Sequence, residues 1–69
     1  MKNQKEKEKW YLISFDAVRG MAKIGCKYAE GGNTIYGVHV SKDEAEELEC
    51  MTSDDLKWFV RLNGAWKIQ

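Results

Sequence analysis

The hydrophobic pattern changes period at Ser41, and this change constrains the fold more than any other feature of the sequence. Before Ser41, apolar and polar residues alternate in three short segments, which is typical of β-strands. After Ser41, apolar residues recur every three or four positions, which is typical of helices. A run of strands followed by helices predicts an α+β domain, with an antiparallel sheet in the first half of the chain.

The predicted strands are residues 9–17, 22–28 and 34–40. In the first strand, Trp10 and Leu12 lie on one face, and the other face carries Tyr11, Ile13, Phe15 and Ala17. Because both faces begin with apolar residues, we expect this strand to be central in the sheet.

The second and third strands each have one apolar face. Ala22, Ile24, Cys26 and Tyr28 alternate with Lys23, Gly25 and Lys27, and the third strand turns Tyr36, Val38 and Val40 to one side. Gly20 ends one predicted turn, and Glu30-Gly31-Gly32-Asn33 is a strong hairpin signal. The sequence therefore predicts a small three-stranded antiparallel meander.

One or two short helices should follow the meander. Ser41 and Glu44 form a capping-box pattern, and Ala45, Leu48 and Met51 then make a narrow apolar stripe. Thr52 or Ser53 can cap a second helix that begins at Asp54. Its apolar arc consists of Leu56, Phe59, Val60 and Leu62, with Trp58 at the margin.

Residues 54–69 have a competing interpretation. Asn63-Gly64 lies between two apolar segments, so this region also resembles a hairpin of two strands. We favour the helix, because the cap, the acidic first turn and the apolar arc agree with one another. A short C-terminal strand can then follow, and we expect Trp66 and Ile68 to close the core.

The length of 69 residues allows one small domain. We predict a flexible charged tail over residues 1–8 and a single α+β domain over residues 9–69. The tail is rich in Lys and Glu and has no apolar signal-peptide core, and the chain has only two cysteines. These features favour a cytoplasmic protein with reduced thiols. The longest apolar run is residues 10–13, far too short to span a membrane.

Metal binding and catalysis find little support in the sequence. Cys26, His39 and Cys50 are the candidate soft ligands, but they include no close pair of the kind that structural zinc sites use. We expect both cysteines to be buried apolar residues. His39 is the only histidine, and none of the serines or cysteines lies in a recognisable nucleophile motif. We therefore expect no metal, no cofactor and no enzymatic activity.

An uneven distribution of charge suggests a binding function. The net charge is zero, yet every acidic residue after residue 33 lies between residues 43 and 55, with no basic residue among them. These acidic residues are Asp43, Glu44, Glu46, Glu47, Glu49, Asp54 and Asp55. Because clustered charge steers association, we predict a non-enzymatic module that binds a protein partner with a basic surface. Inhibitors and modulators encoded by viruses or mobile elements often have this size and composition, which is an analogy only.

The alternative is a protein that binds single-stranded nucleic acid. Arg19, Lys23 and Lys27 could form a basic patch beside aromatic residues on one face of the sheet. The zero net charge and the clustered acidic residues argue against it. The Trp and Tyr residues could instead be exposed anchors for a partner, or for self-association as a homodimer.

Overall fold

Four antiparallel strands and two helices make up the part of the chain that the computed structural model describes, residues 8–69. In chain order these elements are β1 (Glu8–Asp16), β2 (Met21–Tyr28), β3 (Asn33–His39), α1 (Lys42–Leu48), α2 (Ser53–Leu62) and β4 (Trp66–Lys67). The strands form a single sheet in the order β1-β2-β3-β4. The predicted α+β class and three-stranded meander are therefore confirmed. The tail prediction for residues 1–7 lies outside the described residues, and Glu8 already belongs to β1.

Glycines make the turns between the first three strands. Gly20 has a φ of 63°, and Gly31 and Gly32 have φ values of 107° and 87°, a backbone conformation that strains other residues. The Gly20 carbonyl also accepts a hydrogen bond from the Val40 N–H at 3.0 Å, which ties the first turn to the end of β3.

A β-bulge changes the faces of β1. The register with β2 shifts between Leu12 and Ser14, so Phe15 lies opposite Ala22 and joins Trp10 and Leu12 on the side of the core. The prediction that Phe15 shares a face with Tyr11 is therefore wrong. An extra residue in one strand reverses the alternation beyond it, and period-two patterning assumes that no such residue is present.

The position of β1 in the sheet also differs from the prediction. It is an edge strand rather than a central one, because the chain returns through the two helices to pair β4 with β3. At the free edge of β1, the Trp10 N–H donates a hydrogen bond of 2.8 Å to Ser53 Oγ at the start of α2. On one face of this strand Trp10 and Leu12 pack with the core, and on the other face Tyr11 lies against Gly25, so its apolar residues do not require a second neighbouring strand.

The hydrophobic core lies between one face of the sheet and the two helices. Both helices contribute to it, α1 through Ala45 and Leu48 and α2 through Leu56 and Val60. The sheet supplies Trp10, Ala22, Ile24, Cys26, Val38 and Val40. The opposite face of the sheet has no helix packed on it within residues 8–69.

Side-chain caps fix the start of each helix. Ser41 Oγ accepts the Glu44 N–H at 3.1 Å, and Glu44 Oε1 accepts the Ser41 N–H at 2.9 Å, so the predicted capping box is confirmed. Thr52 Oγ1 caps α2 by accepting the Asp55 N–H at 3.2 Å. The helix interpretation of residues 54–62 is thus confirmed, and the hairpin alternative for residues 54–69 is wrong.

The C-terminal segment packs on the face of the sheet that points away from the helices. Trp66 lies opposite Gly37 in the pairing of β4 with β3, and the expected short C-terminal strand is present. Trp66 and Ile68 are 38% and 41% exposed, so they do not close the core as predicted. Leu62, predicted to join the apolar arc of α2, is 77% exposed. Within residues 8–69, no helix has the length and apolar character needed to cross a membrane.

Two leucines provide a test of this core. We expect Leu48→Ala to lower the free energy of unfolding by about 2–5 kcal/mol, because the side chain is fully buried and its removal leaves a cavity. Leu62→Ala should change it by less than about 0.5 kcal/mol, because that side chain is exposed. Urea unfolding followed by circular dichroism measures both values. Equal losses in the two variants would contradict the assigned core.

Candidate functional surfaces

The predicted acidic residues lie on the helical layer, and we call them the acidic helical surface: Asp43, Glu44, Glu46, Glu47, Glu49, Asp54 and Asp55. All seven are exposed. The structure divides them into residues that stabilise helix starts and residues that do not.

Four of these residues have a structural role. Asp43 and Glu44 lie in the first turn of α1, and Glu44 completes the capping box. Asp54 and Asp55 lie in the first turn of α2, where the helix dipole favours negative charge. Asp54 also pairs with Lys57, at 3.4 Å between Oδ1 and Nζ.

The remaining three, Glu46, Glu47 and Glu49, have no such role. They lie toward the C-terminal end of α1, and Glu49 is its C-cap residue. The last turn of α1 contains no basic residue, and negative charge at this end opposes the helix dipole. Among residues 8–69, the ion pairs are Arg19–Asp16 and Lys57–Asp54, so none involves these glutamates. Their placement is therefore unfavourable for the helix that carries them.

A cleft of about 350 Å³ adjoins two of these glutamates, Glu46 and Glu49. Phe15, Ala17 and Ala45 supply its apolar lining, and Glu46, Glu49 and Lys42 supply its charged groups. It lies between α1 and the end of β1. A partner could therefore place an apolar side chain beside the unpaired carboxylates.

The second surface is the face of the sheet that points away from the helices, which we call the open sheet face. Its residues come from alternate positions of the four strands and from the residue after β4: Lys9, Tyr11, Ser14, Asp16, Met21, Lys23, Gly25, Lys27, Asn33, Ile35, Gly37, His39, Trp66 and Ile68. Two of the three residues predicted for nucleic-acid binding, Lys23 and Lys27, lie here. The third, Arg19, lies outside the strands in the β1–β2 turn, and its charge is offset by Asp16 of this face, at 3.6 Å.

Two aromatic rings lie on strand glycines of the open sheet face. A Cβ atom at Gly25 would be 2.5 Å from Cζ of Tyr11, and a Cβ atom at Gly37 would be 2.7 Å from Cζ2 of Trp66. The His39 ring also packs against Trp66, with 4.9 Å between ring centroids. Sequence reasoning missed this role of Tyr11 and Trp66. The two glycines were the available signal, because a glycine within a strand often marks a close approach.

A second cleft, of about 270 Å³, opens on the helical side of the sheet. Trp10 and Tyr36 stack there with 5.5 Å between ring centroids, and Tyr28 lines the same cleft. Glu8 accepts a hydrogen bond of 3.0 Å from the Trp10 indole N–H. Burial raises the pKa of Tyr36 above its ordinary value, because the low-polarity surroundings disfavour the charged phenolate.

The structure separates the residues considered for metal binding and nucleophilic chemistry. Cys26 is buried in the core, His39 lies against Trp66 on the open sheet face, and Cys50 is exposed after α1. The prediction that both cysteines are buried is therefore wrong for Cys50. No group of three or more His, Cys, Asp or Glu side chains within residues 8–69 is placed to hold a metal ion. Burial raises the pKa of the Cys26 thiol, which keeps it protonated and unreactive.

The two thiols should differ sharply in reactivity. At about pH 8, we expect iodoacetamide to add once to the native protein, at Cys50, because only that thiol is exposed and the neutral Cys26 thiol reacts poorly. In denaturant, both thiols should react. Mass spectrometry of the intact chain and its peptides measures this. In the Cys50→Ser control, rapid native labelling should disappear, and rapid labelling of Cys26 would contradict the assigned core.

The comparisons with known proteins identify no relative. No protein-family model matches the chain, and neither the curated proteins nor the solved structures contain a significant match.

Proposed function

We propose that this protein is a small non-enzymatic binding module that contacts a basic surface of a protein partner through its acidic helical surface. The observation that carries the proposal is the position of Glu46, Glu47 and Glu49. These side chains are exposed, none is in an ion pair within residues 8–69, and they lie at the end of α1 where negative charge is unfavourable.

Helix stability does not account for these three charges. Solubility requires charge somewhere on the surface, but it does not require a group of like charges at one helix end. A basic partner would offset the unfavourable interaction between these glutamates and the negative end of the helix dipole. Its Lys or Arg side chains would occupy the position that basic residues usually take near a helix C-terminus. Complementary charge would also raise the rate of encounter.

The cleft beside α1 suggests how such a partner would be held. Charge on an exposed rim adds little affinity, so tight binding needs an apolar anchor as well. The lining formed by Phe15, Ala17 and Ala45 could accept one apolar side chain next to Glu46 and Glu49. The partner segment we propose therefore has an apolar residue flanked by Lys or Arg.

The proposal extends to modulation of the partner, as an inhibitor, inside the cell. The two cysteines of the protein are free thiols, which is typical of proteins in a reducing compartment. An origin in a virus or mobile element is an analogy of size and composition alone.

Charge removal at the end of α1 tests the proposal. In the triple variant Glu46→Gln, Glu47→Gln and Glu49→Gln, we expect loss of the partner that the wild type captures at low salt, because its basic surface has lost its counterpart. Affinity capture from a lysate followed by quantitative mass spectrometry measures this. Circular dichroism should be unchanged, since none of the three side chains makes a cap hydrogen bond and Glu49 caps α1 through its backbone N–H.

The matched control changes the net charge equally at a distance from the helices. Glu30→Lys with Gln69→Lys alters the charge by the same three units, at the β2–β3 turn and the C-terminus. We expect this variant to retain the partner. If the triple variant retained the partner as the wild type does, or if the control lost it as the triple variant does, the acidic helical surface would not be the binding site.

A further inference from the structure

We propose that the open sheet face binds single-stranded nucleic acid, with two bases stacked on Tyr11 and Trp66 and the phosphates held by Lys9, Lys23 and Lys27. This inference goes beyond the proposed function and depends on a different surface.

The two rings are candidate platforms for bases. Each lies against the backbone of a glycine, where any side chain would collide with it, so the sheet supports one side of each ring. Trp66 is 38% exposed and Tyr11 is partly exposed. Bases of any sequence can stack on such rings, because every base has a π-face.

The spacing of the platforms suits neighbouring nucleotides. Gly25 lies opposite Ile35, and Lys23 lies opposite Gly37, so the two glycines are diagonal neighbours on adjacent strands. Such neighbours are about 7–8 Å apart in an antiparallel sheet. The rings therefore lie side by side rather than on each other, and Lys23 lies beside the Trp66 platform on the adjacent strand.

The lysines give this face a positive field even though the whole chain is neutral. Lys9 lies directly opposite Lys27, a like-charge pair across two strands that is unfavourable for the sheet. The acidic helical surface belongs to the other layer, and Asp16, at the far end of β1, is paired with Arg19. A phosphate placed between Lys9 and Lys27 would relieve their repulsion. The net charge of zero, which argues against nucleic-acid binding, thus arises because acidic residues on the helical layer offset basic residues on the open sheet face.

The same charges disfavour a second copy of the chain as the occupant. In a symmetric dimer, the same patch from both copies meets. All six lysines would then lie in one interface, and this concentration of like charge disfavours the dimer. A polyanion matches both the rings and the lysines, which is why we favour it over self-association.

Fluorescence anisotropy with fluorescein-labelled oligo(dT) and oligo(U), each about 15 nucleotides long, tests the proposal on the full chain. We expect saturable binding at low salt with a dissociation constant of about 100 µM or lower, because non-specific binding has values of about 1–100 µM at physiological salt and tightens as salt falls. With three phosphate contacts, the logarithm of the affinity should fall with the logarithm of salt concentration with a slope of about −2. A duplex of the same length should bind more weakly, because its bases cannot reach the rings.

Matched substitutions separate this face from general effects of charge and aromaticity. Trp66→Ala should weaken binding by roughly 5- to 150-fold, the range expected for loss of one stacked base. Trp58→Ala on α2, which removes a ring that is 49% exposed on the other layer, should leave it unchanged. Lys23→Gln with Lys27→Gln should reduce the salt slope to about −0.7, whereas Lys42→Gln with Lys57→Gln should not reduce it.

Four results would overturn the inference. The first is the absence of any anisotropy change at about 0.1 mM protein in low salt, which is the weak end of non-specific binding. The second is equal binding of the duplex, and the third is an equal loss of binding in Trp58→Ala and Trp66→Ala. The fourth is a dimer in sedimentation that Trp66→Ala dissociates. The last result would assign the face to self-association. None of them bears on the acidic helical surface, whose test uses other residues and another readout.

Discussion

A chain of 69 residues with two short helices can cover only one face of its sheet, and the rest of the structure depends on this constraint. The covered face holds the fully buried side chains Ala22, Ile24, Cys26 and Val38. Burial of apolar area on that side is the main favourable term for folding. The other face must remain in contact with solvent. It is stabilised by strand pairing and by side chains that lie on the sheet, not by burial in a core. Tyr11 and Trp66 cover backbone at Gly25 and Gly37, and β4 adds a fourth strand beside β3.

The sequence predicts those features that depend on local chemistry. The turn glycines, the capping box at Ser41 and the helical segment after Thr52 all follow from neighbouring residues, and the structure confirms them. The errors concern features that depend on distant contacts. The bulge after Leu12 arises from how β1 pairs with β2, and the edge position of β1 arises from where β4 docks. Neither leaves a signature in hydrophobic alternation, so the faces of β1 and the location of Trp66 were assigned wrongly.

The candidate surfaces show the same division. The sequence identifies all the acidic residues as a group, but only the helix boundaries distinguish the first-turn residues from those at the end of α1. It also identifies Lys23 and Lys27 as neighbours on one face. It does not bring Lys9 opposite Lys27, because that contact depends on register. At the end of α1 and at the pair of Lys9 and Lys27, the charges do not stabilise the fold. Such positions point to binding more strongly than the number of charges does, since a count cannot separate stabilising residues from costly ones.

The hydrogen bond from Trp10 to Ser53 has a consequence for behaviour at high concentration. A nine-residue edge strand such as β1 offers unpaired backbone groups to which a strand of another molecule could add, the first step toward fibrils. Ser53 occupies one of these groups, and the bulge after Leu12 disturbs the regular spacing of those that follow. The opposite edge is only the two residues of β4. The start of α2 therefore bears on the colloidal stability of the protein as well as on its fold, since it occupies one backbone group on the longer of the two sheet edges.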